Sequence, residues 1–262
     1  MPPKEPNVPL TVSDLERALA AAGVSAPVRF DEVTGSTNET ALELAAAGAP
    51  EWTLVAAGHQ TSGRGRLGRA WSDSPGRSLL FSFVVRPSWI GLERAGMLPL
   101  LAGLCMAVAA REVAALGVGC KWPNDLLLDD RKVGGILVES RVGPEIGSGF
   151  YAAIGVGVNL DPPESVEGAG GLGAVDAAAL LTAFLRGFRE RYQGDAATLG
   201  RRVADEYAPR CLTIGRDVEA TRTDGRRVRG RAVEIMEDGS LALETADGRA
   251  LVAFGEVAHL DR

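Results

Sequence analysis

The hydrophobic and polar positions of this chain fall into five helical stretches and a larger number of short extended runs. "DLERALAAAG" predicts a short helix that Ser13 can cap and Gly23 can end. "GSTNETALELAAAG" predicts a second, with Ser36 or Thr37 at its start and Gly48 at its end. From Leu92 to Leu116 apolar residues recur at helical spacing, which predicts a long buried helix despite Pro99 near its start. "VDAAALLTAFLRGFRERYQ" is amphipathic, with Leu180, Leu181, Phe184, Leu185 and Phe188 on one face, and a further helical segment covers about 197–207.

Between these lie "VRFDEV", "WTLVAAG", "SLLFSFVV", "CKW", "LLLDD", "KVGGILVES" and "FYAAIGVGVNL". The later ones alternate with turn residues rather than with helices, which favours a mixed or antiparallel sheet over a doubly wound one. Residues 163–173 are rich in glycine and predict a surface loop. After Pro209 the pattern changes. Asp-Gly pairs at 224–225, 238–239 and 247–248 separate alternating runs, a strong hairpin signal. The expected fold class is therefore α+β. A mixed central sheet flanked by helices occupies 1–210, and a small all-β barrel occupies 211–262. The proline-rich first ten residues are expected to form a frayed tail.

Composition narrows the function. With 46% hydrophobic and 24% charged residues the chain can bury a substantial core. Its longest apolar stretch, Met97 to Ala110, is too short to span a bilayer, and the N-terminus lacks the apolar centre of a signal peptide. Three scattered cysteines, Cys105, Cys120 and Cys211, argue for a reducing cytoplasm and against a disulfide framework. Two histidines, His59 and His259, make a zinc cluster an unsuitable reading and receive no role. A net charge of −6 offers no global attraction for nucleic acid, so clustered arginines are expected to act locally on a small anion.

Such a cluster stands at 61–71, "TSGRGRLGRAW". Gly63, Gly65 and Gly68 spell the dinucleotide fingerprint, but turn formers and a strand follow where the fingerprint requires a helix. Arg69-Ala70 stands where a P-loop requires Lys-Ser/Thr. What remains is a glycine loop presenting Arg64, Arg66 and Arg69, whose fixed donor forks suit phosphate or carboxylate oxygens. In "KWPNDLLLDDRKVGGILVE", Pro123 and Asn124-Asp125 favour a turn from which Lys121 and Asp125 project at the end of one strand. Asp125 could hold magnesium or polarise an amine, and Lys132 precedes two glycines that admit a ligand or a second backbone. The hydroxyls and Asn38 of "GSTNET" could cap a helix or bind a polar ligand head.

These stretches, with "HQTSGRGRLGRAW" and "IGVGVNL", occur in the order and spacing of the biotin–protein ligases, and the chain resembles that family over about 28–160. The resemblance implies a class II synthetase-like catalytic fold followed by an SH3-like barrel. It implies activation of biotin by ATP and Mg2+ to biotinyl-5'-AMP, then transfer to a lysine of a biotin carboxyl carrier domain of an acetyl-CoA, acyl-CoA or pyruvate carboxylase. By the same resemblance Ser36, Thr37, Asn38 and Gln60 hold the biotin head, and Arg64, Gly65 and Arg66 close over the adenylate. Arg69 lies on the phosphate side, and Lys121 and Asn124 are further ATP-binding residues. Trp71 stacks on adenine, Asn159 reads its edge, Lys132 meets the biotin carboxylate and acyl phosphate, and Asp125 serves the transfer step.

Thr61-Ser62 and Val133-Gly134 depart from the family's usual Gln-Ala and Leu-Ala without changing a charge. With the catalytic pattern starting near residue 28, neither a DNA-binding module nor repressor activity is expected, and the enzyme should be a monomer or weak homodimer. Lipoate or octanoate transfer is the nearest alternative, with Cys105 and Cys120 expected to be packed rather than reactive. A nucleic-acid-binding barrel carrying Arg226, Arg227, Arg229 and Arg231 is the remote one.

Overall fold

The computed structural model describes residues 10–142, 150–222, 225–253 and 255–260. The expected frayed tail therefore lies almost wholly outside the described residues, as does Asp224 of the first Asp-Gly pair. The chain begins with α1 (Val12–Ala21), β1 (Val28–Asp31), α2 (Thr37–Ala46), β2 (Leu54–Ala57) and β3 (Ser78–Val85). Next come α3 (Met97–Ala114), β4 (Gly119–Lys121), β5 (Asp125–Leu128), β6 (Arg131–Arg141) and β7 (Tyr151–Asn159). Two helices, α4 (Ala177–Arg191) and α5 (Ala196–Tyr207), lead to five strands: β8 (Asp217–Arg222), β9 (Arg227–Ile235), β10 (Leu241–Thr245), β11 (Gly248–Val252) and β12 (Gly255–His259).

The first seven strands form one mixed sheet in the order β1-β2-β3-β7-β6-β5-β4, in which β1 and β2 run parallel and the other neighbours antiparallel. The last five form an antiparallel sheet in the order β11-β10-β9-β8-β12. The Asp-Gly pairs at 238–239 and 247–248 fall on the turns either side of β10.

Register explains how the large sheet serves two purposes. Side chains on a strand alternate between faces. Pairing puts Ser82 opposite Gly155 and Gly155 opposite Leu137, so these three share one face with Gly157, Gly135 and Glu139. Their neighbours Phe81, Phe83, Ile154, Val156 and Ile136 belong to the other face. That second face carries the main core, buried with Leu15 and Leu19 of α1, most of α3, and Phe184 and Phe188 of α4. The first face is covered in part by α2 through a smaller cluster of Ala41, Leu42, Ala45, Val55, Val84 and Ala153. The rest of that face is open and forms the site.

Four local expectations need correction. Thr11, not Ser13, caps α1: it forms a reciprocal capping box with Asp14, and Ser13 lies inside the helix. The long helix starts at Met97 after a separate 3-10 turn at Leu92–Arg94. Pro99 fits within its first turn, where no intrahelical N–H bond is needed. With 18 residues, α3 is long and apolar enough to cross a membrane by composition, but 67% of it is buried inside the protein, as a core helix requires. Residues 163–173 are not purely surface. Ala169 and Leu172 are buried, and Gly170 N and Leu172 N donate to Lys132 O and Asn159 O, pinning the segment against β6 and β7.

Candidate functional site

A cavity of about 210 Å3 opens on the small-residue face of the large sheet. It is lined by every site residue proposed above except Asn159, together with Ile136, Leu137, Gly155, Val156, Gly157 and, from the small sheet, Glu256 and Val257.

One end of the cavity is a buried polar cluster at the start of α2. Ser36 occupies the N-cap position without a side-chain cap bond. Gln60 takes that job from a distance: its Oε1 accepts from Thr37 N at 2.8 Å and from Thr37 Oγ1 at 3.1 Å. The Ser82 hydroxyl proton is shared between Thr37 Oγ1 and Asn38 Oδ1, each 2.8 Å away. Asn38 Nδ2 donates to Glu139 Oε2 at 2.7 Å and to Leu137 O at 3.2 Å. Ser36, Thr37 and Asn38 are all nearly inaccessible, and these bonds fix Thr37 and Asn38. Behind Gln60, Asp73 accepts from Gln60 N and lies 2.8 Å from His59 Nδ1, which gives His59 a structural partner.

The other end is cationic. Lys132 Nζ lies 2.6 Å from Asp125 Oδ1 and 5.9 Å from the centre of the Trp71 ring. Arg64 lies 3.6 Å from Glu139, and Arg69 is paired with Glu256. Arg66 Nη1 donates to Gly255 O at 2.9 Å and approaches Asn124 Oδ1 at 3.5 Å. Burial pulls the Arg66 pKa below its ordinary value and the Arg69 charge adds to this, while Asp125 opposes it. A guanidinium so shifted remains charged at neutral pH.

Lys121 and Asp125 do not project from one strand as expected. They are partners on the antiparallel strands β4 and β5, which places both at the cavity edge. Between them, Trp122 is buried and donates from Nε1 to Gly239 O at 2.9 Å, tying this turn to the small sheet.

The glycines of 61–71 also have reasons beyond freedom of movement. A Cβ on Gly63 would stand 2.6 Å from Trp71 O, and Gly68 has φ +74°. Across the cavity floor, a Cβ on Gly157 would meet the Trp71 indole at 2.8 Å, so the tryptophan lies directly on β7. Trp71 Nε1 is buried without a partner. Asn159 ends β7 on the same face as Gly155 and Gly157 but outside the cavity lining. Its Nδ2 donates to Gly170 O at 3.2 Å, and its Oδ1 is a buried acceptor with no partner.

Sequence reasoning assigned no role to Ser82, Glu139, Asp73, Gly255 or Glu256. The sheet's period of two could have flagged Glu139, which follows Gly135 and Leu137 on one face of β6. Nothing local could have joined Gly255 and Glu256 to a loop almost two hundred residues earlier. All three thiols are buried, with Cys105 pushed up to about 12 and Cys120 and Cys211 raised as well, chiefly by burial.

Comparison with known proteins places this geometry. The biotin/lipoate A/B protein ligase family matches residues 30–159, and the biotin protein ligase C-terminal domain matches 213–260. The biotin--[acetyl-CoA-carboxylase] ligase of Mycobacterium tuberculosis is 33% identical over 265 residues, covering 96% of each chain. The bifunctional ligase/repressor BirA of Bacillus subtilis is 32% identical over 253 residues, covering 91% of this chain and 76% of that protein. The Aquifex aeolicus biotin protein ligase, solved with biotin and ATP, shares the fold with a TM-score of 0.69 at 23% identity, over 88% of this chain and 97% of that one. A cavity with a fixed polar end and a cationic end, set in this fold and in a sequence so closely matched along its length, has one assignment: the chain belongs to the biotin/lipoate A/B protein ligase family, among its biotin protein ligases.

Proposed function

We propose that this site joins biotin to ATP, releasing pyrophosphate and forming biotinyl-5'-AMP, and then passes the biotin to a lysine of a carboxylase carrier domain. The observation that carries this reading is the gathering of Lys132, Arg64, Arg66 and Arg69 around one cavity whose far end is the hydrogen-bonding group of Ser36, Thr37, Asn38 and Gln60. When a carboxylate oxygen attacks the α-phosphorus, negative charge accumulates on the phosphate and on the departing pyrophosphate. Preplaced cations lower the energy of that state without an enzyme nucleophile. Lys132 is placed for the biotin carboxylate and the bridging acyl phosphate, Arg64 and Arg66 for the adenylate, and Arg69 for the outer phosphates. Trp71 and Asn159 are the residues offered to adenine, the first by its ring and the second by its spare acceptor.

The product is a mixed anhydride that water would hydrolyse, so the arginine loop also has a shielding task. Asp125, 2.6 Å from Lys132, is placed to orient the incoming amine and take its proton. Among the described residues no group of three His, Cys, Asp or Glu side chains could hold a metal. The cavity carboxylates Asp125 and Glu256 are already engaged by Lys132 and Arg69. Magnesium is thus best supported as an ion carried in on ATP rather than held by a protein cage. Acyl transfer through a cysteine meets three buried thiols, which disfavours that alternative.

Incubation with ATP, Mg2+ and either biotin or lipoate, with pyrophosphate release and transfer to a purified biotin carrier domain as readouts, tests the proposal. Release and transfer should depend on biotin and be weak with lipoate. Absence of biotin-dependent release overturns it.

A further inference from the structure

Glu139 is a half-buried carboxylate near the end of β6, flanked by Val138 and Ser140 and paired opposite Ala153. The same oxygen, Oε2, accepts from Asn38 Nδ2 at 2.7 Å and lies 3.6 Å from Arg64 Nη2. The first contact is a charge-assisted hydrogen bond and the second an ion pair beyond hydrogen-bond reach, so Asn38 is the group held firmly. The rest of the Asn38 amide is also committed. Its second Nδ2 hydrogen goes to Leu137 O, and its Oδ1 accepts from Ser82. That Oδ1 stands 2.3 Å from where a Cβ of Gly155 would be, so the amide packs directly on β7. Through Ser82 and Thr37 the chain of hydrogen bonds continues to Gln60. Arg64 and Gln60, at the two ends of this chain, both line the cavity, and the only charged link between them is Glu139.

We infer that Glu139 is a positioning residue for the head-group end of the cavity: it fixes which way the Asn38 amide points while leaving Arg64 loosely held and available to an anionic ligand. Without an acceptor at Glu139, the Asn38 amide keeps only the longer Nδ2 bond to Leu137 O and is held less firmly. The Ser82–Thr37–Gln60 chain then loses its anchor. This inference rests on the proposed biotin activation, and equilibrium binding separates the two.

The test compares Glu139→Ala with Glu139→Gln, measuring kcat and KM for biotin in pyrophosphate release, biotin Kd by calorimetry, and Tm. Glu139→Gln keeps an oxygen for Asn38 but removes the charge facing Arg64. Loss of one charge-assisted bond in Glu139→Ala should raise biotin KM and Kd about tenfold, with kcat within about threefold of the parent. Glu139→Gln should return both constants to within about threefold of the parent, because the acceptor is restored. Parental constants in both variants overturn the inference. So does equal impairment of both accompanied by a matching fall in Tm, which would make Glu139 a folding element. If the unaltered protein binds biotin but releases no pyrophosphate, the proposed reaction fails, and the calorimetric comparison still decides the role of Glu139.

Discussion

The two faces of the large sheet are built from the same strands, residue by alternate residue, and they do opposite things. One carries Phe81, Phe83 and Ile154 into a dry core under α1, α3 and α4. The other carries Ser82, Gly155, Gly157 and Glu139 beneath α2 and an open cavity. On the first face large side chains fill space, and removing atoms leaves a void. On the second, small residues leave room for Trp71 and a ligand, and the polar groups present are held by one another. Stability should therefore reside mainly on one face and chemistry on the other.

That division can be broken by experiment. The largest effect is expected from Phe83→Ala. Phe83 stacks on Trp52 and meets Phe188 edge-on. Its loss should cost about 3–5 kcal/mol in denaturant unfolding while turnover per folded molecule stays unchanged. A fall in specific activity as large as the fall in stability would mean that the faces are not separable.

Lys132→Ala is the converse. The side chain is nearly half exposed, so Tm should hardly move, while biotin-dependent pyrophosphate release should fall about a hundredfold, or about 2.7 kcal/mol. An unaltered adenylation rate would remove Lys132 from the site.

Alkaline pH probes the dry face through Cys105 on α3. Its folded-state pKa, about 12, lies above the ordinary thiol value of 9.0. Its contribution is then complete below pH 9 and is lost as pH rises toward 12, since the unfolded thiol ionises first. By pH 10.5 the loss should be on the order of 2 kcal/mol. Urea titrations at pH 8 and 10.5 measure it, and a Cys105→Ala variant that loses just as much stability between the two would dismiss the thiol as the cause. The smallest effect is expected from Ser82→Ala, which removes one shared hydroxyl from the pocket face. Biotin KM should rise a few-fold, corresponding to about 1 kcal/mol. No change in KM would show that Thr37 and Asn38 are held without it.

Much of this arrangement was readable from the chain. Strand β3 begins and ends where "SLLFSFVV" does, because an uninterrupted apolar run bounded by turn formers leaves little choice. The family motifs brought together thirteen cavity residues from three separate stretches. What escaped was long-range. Asn38 and Glu139 meet across a separation of 101 positions, and Arg66 meets Gly255 across 189. Sheet register and the docking of the small sheet create those contacts, and neither leaves a local trace. The exchange of Ser13 for Thr11 as a cap is a different kind of miss. Both residues suit the position, and only the reciprocal bond with Asp14 favours Thr11.

Trp122 has a thermodynamic consequence. Its indole is sealed in the seam between the two sheets, and its N–H bonds to the turn before β10. Detaching the small sheet would strand that N–H and bare the ring beside Lys121, Asn124 and Asp125. The two sheets are thus expected to melt in a single cooperative transition rather than in sequence. Trp122 emission would report the event, shifting to longer wavelength as the seam admits water. Ligand bound in the cavity should accordingly protect the small sheet against heat, although that sheet contributes only a narrow strip of the cavity wall.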